Sequence, residues 1–251
     1  MIYDRPRFLP GGDSALFIEF GGRIDPELNR RVRRLLLAIQ GAGLPEIVEV
    51  VPAYRSLLVH YRPRDTSPAE LRACLERLVE RAEVGEFPGP GVTEVPTVYG
   101  DEYGPDLEFV ATHSGLSPEE VVRLHVGRAY LIYMLGFIPG FPYLGSLSPR
   151  IATPRLETPR TSIPAGSVGI GGSQTGIYPA QTPGGWRLIG RTPLELFCPR
   201  KEPPALLQMG GYVRFVRITE QEYKSIRKEV EQGTFRARRT AYAGEAEGGD
   251  I

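Results

Sequence analysis

A chain of 251 residues is long enough for one large domain or two ordinary ones. Its 30 basic and 30 acidic side chains cancel, so no global field directs it to nucleic acid or to an anionic membrane. No apolar run is long enough to span a bilayer, and the opening MIYDRPRFLPGGDSALF lacks the basic-then-apolar order of a signal peptide, which makes the cytoplasm the default location.

In chain order, residues 14–20 (SALFIEF) alternate as a strand. Asp25-Pro26-Glu27 then opens a helix, with Asp25 as N-cap, Leu28, Val32, Leu35, Leu36 and Ile39 on one face, and Gly41 or Gly43 at its end. IVEVVP and SLLVHY read as a hairpin, and Ser67-Pro68-Ala69-Glu70 has capping-box spacing for a helix to about Val84. The order β-α-β-β-α over residues 1–84 predicts a small α+β sandwich, followed by a Gly/Pro-rich linker at 85–93. Beyond it lie a strand from residue 94, a turn at 101–106, a short helix (LEFVATHSG) and a second capping box at Ser117. Strands are expected at 128–135, 186–190, 194–198 and 212–218. A polar helix starts at Thr219, and the tail after Gly233 reads as flexible. Many short strands over 94–219 point to a β-barrel or sandwich, with the helix and tail of 220–251 appended.

The stretch from Leu135 to Arg191 is crowded with proline and glycine, which excludes a long helix. Phe137, Phe141, Tyr143, Tyr178 and Trp186 argue equally against disorder, leaving short strands and tight turns. Within it, GGSQTG at 171–176 has Ile177 where a phosphate-binding loop needs lysine, so it reads as a strand-to-strand turn or a weak anion nest. No metal site is expected: HExxH is absent, and Cys74 and Cys198 are isolated, free thiols. Of the histidines, His60 reads as structural, His113 as a helix-end cation, and His125 as the best general base. Arg155, Arg160, Arg187 and Arg191 lie in or beside the stretch, where their forked donors suit carboxylate or phosphate. The apolar loop FIPGFPYLG is either folded under or a binding surface.

The series GFIPGFPYLG, TPRTSIPAGSVGIGGSQTGIYP and TPGGWRLIGRTP, with YGDEYGPDLEFVA and LSPEEVVRLH upstream, resembles the allophanate hydrolase subunit 1 family. That family includes the B subunit of 5-oxoprolinase and the Kip-type inhibitor of a sporulation histidine kinase, and the resemblance runs from about residue 8 to residue 219. It implies a cyclophilin-like barrel for the second domain. It also implies partner subunits of the 5-oxoprolinase A and C types, and ATP as the energy source of the assembled complex. Alternatives are a regulatory protein that docks on a histidine kinase and a subunit of a urea or allophanate carboxyltransferase-hydrolase system; self-association is left open. On chemical grounds the catalytic candidates are His125 to move protons, Arg160 and Arg191 to hold phosphate and carboxylate, and Gln174 and Tyr178 to orient the substrate amide. Phe137, Pro139, Phe141, Tyr143, Pro164, Gly166, Thr175 and Trp186 complete the expected substrate-binding set. Arg160→Ala is expected to abolish activity without unfolding the chain.

Overall fold

The computed structural model describes residues 1–242, in two compact units that divide between Gly89 and Pro90. In the first, strands β1 (Ile2–Pro10), β2 (Ala15–Gly21), β3 (Ile47–Pro52) and β4 (Ser56–Tyr61) form an antiparallel sheet in the order β1-β2-β4-β3. Leu16, Ile18 and Phe20 of β2 and Leu57, Val59 and Tyr61 of β4 are buried on alternate positions, the signature of one core-facing side. Helices α1 (Pro26–Ala42) and α2 (Pro68–Val84) supply the matching stripe of Leu28, Val32, Leu35, Ile39, Leu71, Leu75 and Leu78. Their ends follow the local chemistry: Asp25 accepts the Glu27 N–H, Gly43 takes φ 58° to stop α1, and Ser67 with Glu70 makes the full capping box. Strand β1 is the element that the sequence pattern does not announce. Pro6 and Pro10 argue against a strand interior, but β1 is a sheet edge, where a missing N–H is tolerated, and its register slips between Ile2 and Arg7.

The second unit is a barrel. Its elements are β5 (Gly91–Tyr99), α3 (Leu107–Ser114), α4 (Pro118–Val126), β6 (Ala129–Leu135), β7 (Pro142–Leu144), β8 (Arg160–Ile163), β9 (Ser167–Gly171), β10 (Gln174–Ile177), β11 (Thr182–Gly184), β12 (Arg187–Arg191), β13 (Tyr212–Arg217), α5 (Glu220–Glu231) and β14 (Arg239–Ala241). The sheet runs β12-β9-β10-β7-β6-β13-β5 and closes through a β12–β5 pairing; β13 and β5 are parallel and the other barrel pairs antiparallel. Val95, Ile132, Leu144, Val168, Ile170, Ile177, Ile189, Val213 and Phe215 fill the interior, joined by Val110 of α3 and Val121 of α4. Strands β8 and β11 form a separate two-stranded ribbon.

The α+β region followed by a mainly β barrel is the order expected from sequence. Three local expectations are corrected. Residues 91–93, expected in a linker, already belong to β5, where Val92 pairs with both Tyr212 and Thr240. Residues 194–198 alternate in burial but form no strand, only an isolated bridge from Phe197 to Ala205. Pro193 and Pro199 flank this run, which satisfies its backbone through Cys198 N–H to Pro204 and Leu206 N–H to Leu196. The tail expected to be flexible instead adds β14 to β5, with Tyr242 stacked on Tyr212 at 3.7 Å. Residues 243–251 of that tail lie outside the described residues.

Candidate functional site

Three of the four glycines of the 169–176 segment, Gly169, Gly171 and Gly176, find their explanation in Trp186. A Cβ on Gly171 would meet the indole at 2.6 Å, one on Gly176 would meet it at 2.9 Å, and one on Gly169 would meet Trp186 Cβ at 3.2 Å. Strands β9 and β10 are therefore a flat seat for the only tryptophan of the chain, which is buried there. The GGSQTG run turns between those two strands, with Gly172 at φ 67°. Gly171→Ala is expected to force the indole off its seat, lower stability by about 2 kcal/mol and shift Trp186 emission. Thermal unfolding followed by fluorescence checks this, and an unchanged melting temperature and spectrum would contradict the seat.

An aromatic cluster grows outward from that indole. Phe141 lies 5.5 Å from Trp186, 5.2 Å from Tyr178 and 5.1 Å from Tyr143, all edge-on. Phe137 meets Phe141 edge-on at 5.7 Å, yet it is 60% exposed and holds φ 66°, a left-handed conformation that a bulky side chain rarely adopts. The loop that holds it is fixed by Gly136 N–H to Phe141 and Phe141 N–H to Ile138. Pro139 is exposed at its tip. On the other side of Tyr178, Gly184 leaves room for the phenol, since a Cβ there would sit 2.6 Å from its oxygen, and Gly184 pairs with Arg160 across the β8–β11 ribbon. Burial raises the Tyr178 pKa, opposed by a hydrogen bond from the Trp186 backbone and by the charges of Arg155 and Arg160.

The arginines are not equivalent. Arg160 donates from both terminal nitrogens to Asp106, at 2.8 and 2.9 Å, and this fork raises its pKa further. Asp106 has a side chain only 8% exposed, accepts the Leu188 N–H at 2.7 Å and lies 4.0 Å from Arg187. Arg187 also stacks on Phe109 at 3.6 Å. Arg191 turns toward the 101–106 turn, over the Tyr103 ring and onto the Glu102 carbonyl. Arg155 is exposed, with its guanidinium 5.5 Å over Trp186. Sequence reading passed over Asp106 as one acid in a turn. Its position before the Leu107 helix suggests an N-cap, but its side chain makes no capping bond and reaches the barrel wall instead.

His125 is placed where the expected proton transfer is out of reach. The ring is fully buried, and burial lowers its pKa to about 3. Thr175 donates its hydroxyl proton to the Gly169 carbonyl at 3.0 Å, so it accepts from His125 Nε2–H at 2.9 Å, leaving Nδ1 to accept the Tyr99 hydroxyl at 2.8 Å. Both ring nitrogens are engaged, without a solvent-facing atom, in a neutral imidazole. Thr175 accordingly faces the barrel interior and not the aromatic cluster. Gln174 is half-buried at the hairpin opposite Gly171. Pro164 and Gly166 form a tight turn beneath the Tyr178 backbone, where Gly166 donates to Tyr178 O at 2.7 Å and has φ 82°. The structure thus gathers Phe141, Tyr178 and Trp186 into a second buried core, with half-buried Tyr143 and Arg160 and exposed Phe137 at its edge, and sets His125, Thr175 and Arg191 elsewhere.

Two neighbouring clefts of about 560 and 520 Å³ lie on the barrel unit, sharing Leu194, Glu195, Lys201, Val230 and Gly233; neither is lined by the aromatic cluster. Among the described residues there is no grouping of three or more metal-ligating side chains, and no helix is long and apolar enough to cross a membrane.

Residues 6–207 match the family model for the carboxyltransferase domain, subdomain C and D. The B subunit of 5-oxoprolinase from Bacillus subtilis (strain 168) is 48% identical over 229 residues, covering 87% of this chain and 95% of that relative. Among solved structures, TTHA0988 is 38% identical with a TM-score of 0.73, over 82% of this chain and 40% of that one. The K. lactis urea amidolyase, 21% identical, shares the fold with a TM-score of 0.73 over 96% of this chain and 17% of its own.

Proposed function

The chain belongs to the carboxyltransferase-domain family of subdomains C and D, and from that premise we propose that it is the B subunit of an ATP-dependent 5-oxoprolinase. Together with partner subunits of the A and C types it would open 5-oxo-L-proline to L-glutamate. The observation that carries this reading is the 48% identity extending over 95% of a relative named as the B subunit of a 5-oxoprolinase.

The chemistry sets what such a site must do. A lactam carbonyl is resonance-stabilised like a peptide bond, so water alone opens it slowly. Transfer of the γ-phosphoryl group from ATP to the carbonyl oxygen, with ADP leaving, would make the carbon electrophilic enough for water to add. The ring C–N bond would then break with a proton passing to nitrogen, and a second water would hydrolyse the resulting acyl phosphate to carboxylate and phosphate. The glycine-rich segment, which alone suggested a phosphate cradle, has Gly171 and Gly176 against Trp186 and gives no support for a nucleotide there. On this reading the nucleotide is bound by the partner subunits. The share of this chain is the edge of the aromatic cluster, where exposed Phe137 and half-buried Tyr143 pack on the buried Phe141 and offer a dry wall for a small ring, with the Arg155 cation near the same cluster. With His125 enclosed, it is not the group that moves the protons.

The test is glutamate release from 5-oxoproline and ATP by this chain co-purified with its A- and C-type partners. ATP-dependent glutamate that disappears when this chain alone is left out is the expected result. A well-folded, complete complex that releases none would remove the reading.

A further inference from the structure

Arg160, Arg187 and Arg191 are each held by the protein itself, through the Asp106 carboxylate, the Phe109 ring or the Glu102 carbonyl. Arg155 differs. Among the described residues it makes no hydrogen bond or ion pair, although Glu157 is two positions away and exposed. Its backbone is nevertheless clamped on both sides. Thr153 exchanges two hydrogen bonds with Gly172 of the β9–β10 turn (3.2 and 2.8 Å), and Leu156 donates to Gly185 beside Trp186 at 2.7 Å. The guanidinium carbon lies 5.5 Å from the indole centroid, and the residue is exposed to solvent. A cation that is positioned by its neighbours and unpaired is arranged for an anion from outside.

We propose that Arg155 is the carboxylate receptor at the rim of this cluster: it takes the carboxylate of a small cyclic acid and holds the acid's ring against Tyr143 and Phe137, the members that reach the surface beside the buried Trp186. This rests on the oxoprolinase reading of the same surface, which supplies the class of ligand. It also reassigns the role expected of Arg160, whose fork is already filled by Asp106.

Because Trp186 is the only tryptophan, its emission reports the site directly. The full chain, alone and in the assembled complex, is titrated with 5-oxo-L-proline and with 2-pyrrolidinone, the same lactam without the carboxylate. The expected result is a saturable change in emission with 5-oxo-L-proline and none with 2-pyrrolidinone at equal concentration. Arg155→Ala should weaken the response at least tenfold with an unchanged melting temperature, and Arg155→Lys should weaken it less. In the complex, Arg155→Ala should raise KM far more than it lowers kcat. An equal response to both lactams, an unweakened response in Arg155→Ala, or no response from the wild type in either form would overturn the proposal. A complex without oxoprolinase activity whose Trp186 still answers carboxylates through Arg155 keeps the receptor and removes the activity. An active complex indifferent to Arg155 does the reverse.

Discussion

Asp106→Ala is expected to destabilise the barrel unit by about 3 kcal/mol, the largest effect of any single substitution considered, because it breaks a nearly buried ion pair from one side only. Asp106 holds Arg160 by two short bonds, accepts the Leu188 N–H and faces Arg187, so its loss strands two guanidinium groups and a buried amide together. At roughly 2–4 °C per kcal/mol for a domain of this size, the melting temperature should fall by about 6–12 °C. Asp106→Asn keeps an acceptor for Leu188 and should lose about half as much. Arg160→Ala leaves the carboxylate unpaired and should also destabilise, contrary to the expectation that it affects activity alone. The double variant decides the point: a loss well below the sum of the two singles marks direct coupling. Additive losses would show that the pair contributes nothing.

His125 predicts an acid-dependent loss of stability. Its pKa of about 3 in the folded protein lies below the ordinary 6.5, so between those values the unfolded chain binds a proton that the folded chain excludes. Stability from this group is complete above pH 6.5 and is lost as the pH falls toward 3, by about 1.4 kcal/mol per pH unit within that window. By pH 4.5 the loss is about 2.7 kcal/mol. The capping carboxylates Glu70, Glu120 and Glu222 have lowered pKa values, mainly through backbone hydrogen bonds from Ser67, Ser117 and Thr219, and they weaken the fold at still lower pH. The comparison that isolates His125 is therefore urea unfolding of the wild type and of His125→Gln from pH 7 to pH 4.5. The variant should start less stable and show a flatter dependence across that range. Parallel curves would mean that the imidazole is not the group being titrated.

Local chemistry was enough to place most of the elements. Capping boxes at Ser67, Ser117 and Thr219 and the Asp25 and Gly43 caps depend on residues within four positions of each other, so the helices begin where the sequence says they do. Alternation placed β2 and β4 for the same reason, since period two is a property of the strand alone, whereas β6 is buried along five consecutive positions. It failed at 194–198, where burial alternates without a partner strand, and at β1, where an edge position tolerates the prolines. The aromatic members of the site were legible as residue types crowded into one stretch.

Their roles were not, because each depends on a neighbour distant in the chain. Arg160 became a structural cation through Asp106, 54 residues earlier. His125 lost its basicity because Tyr99 and Thr175 close on it inside the barrel, 26 and 50 residues away. The glycines of 169–176 read alike as a phosphate nest or a turn until Trp186 was seen lying on three of them. Residue type and short spacing thus placed the helices and part of the strands and gave the chemical palette of this protein, while the family was carried by the resemblance of its longer motifs. Only the tertiary structure decided which charges are already neutralised and which are not, because desolvation and ion pairing act through space and leave no periodic mark in the sequence.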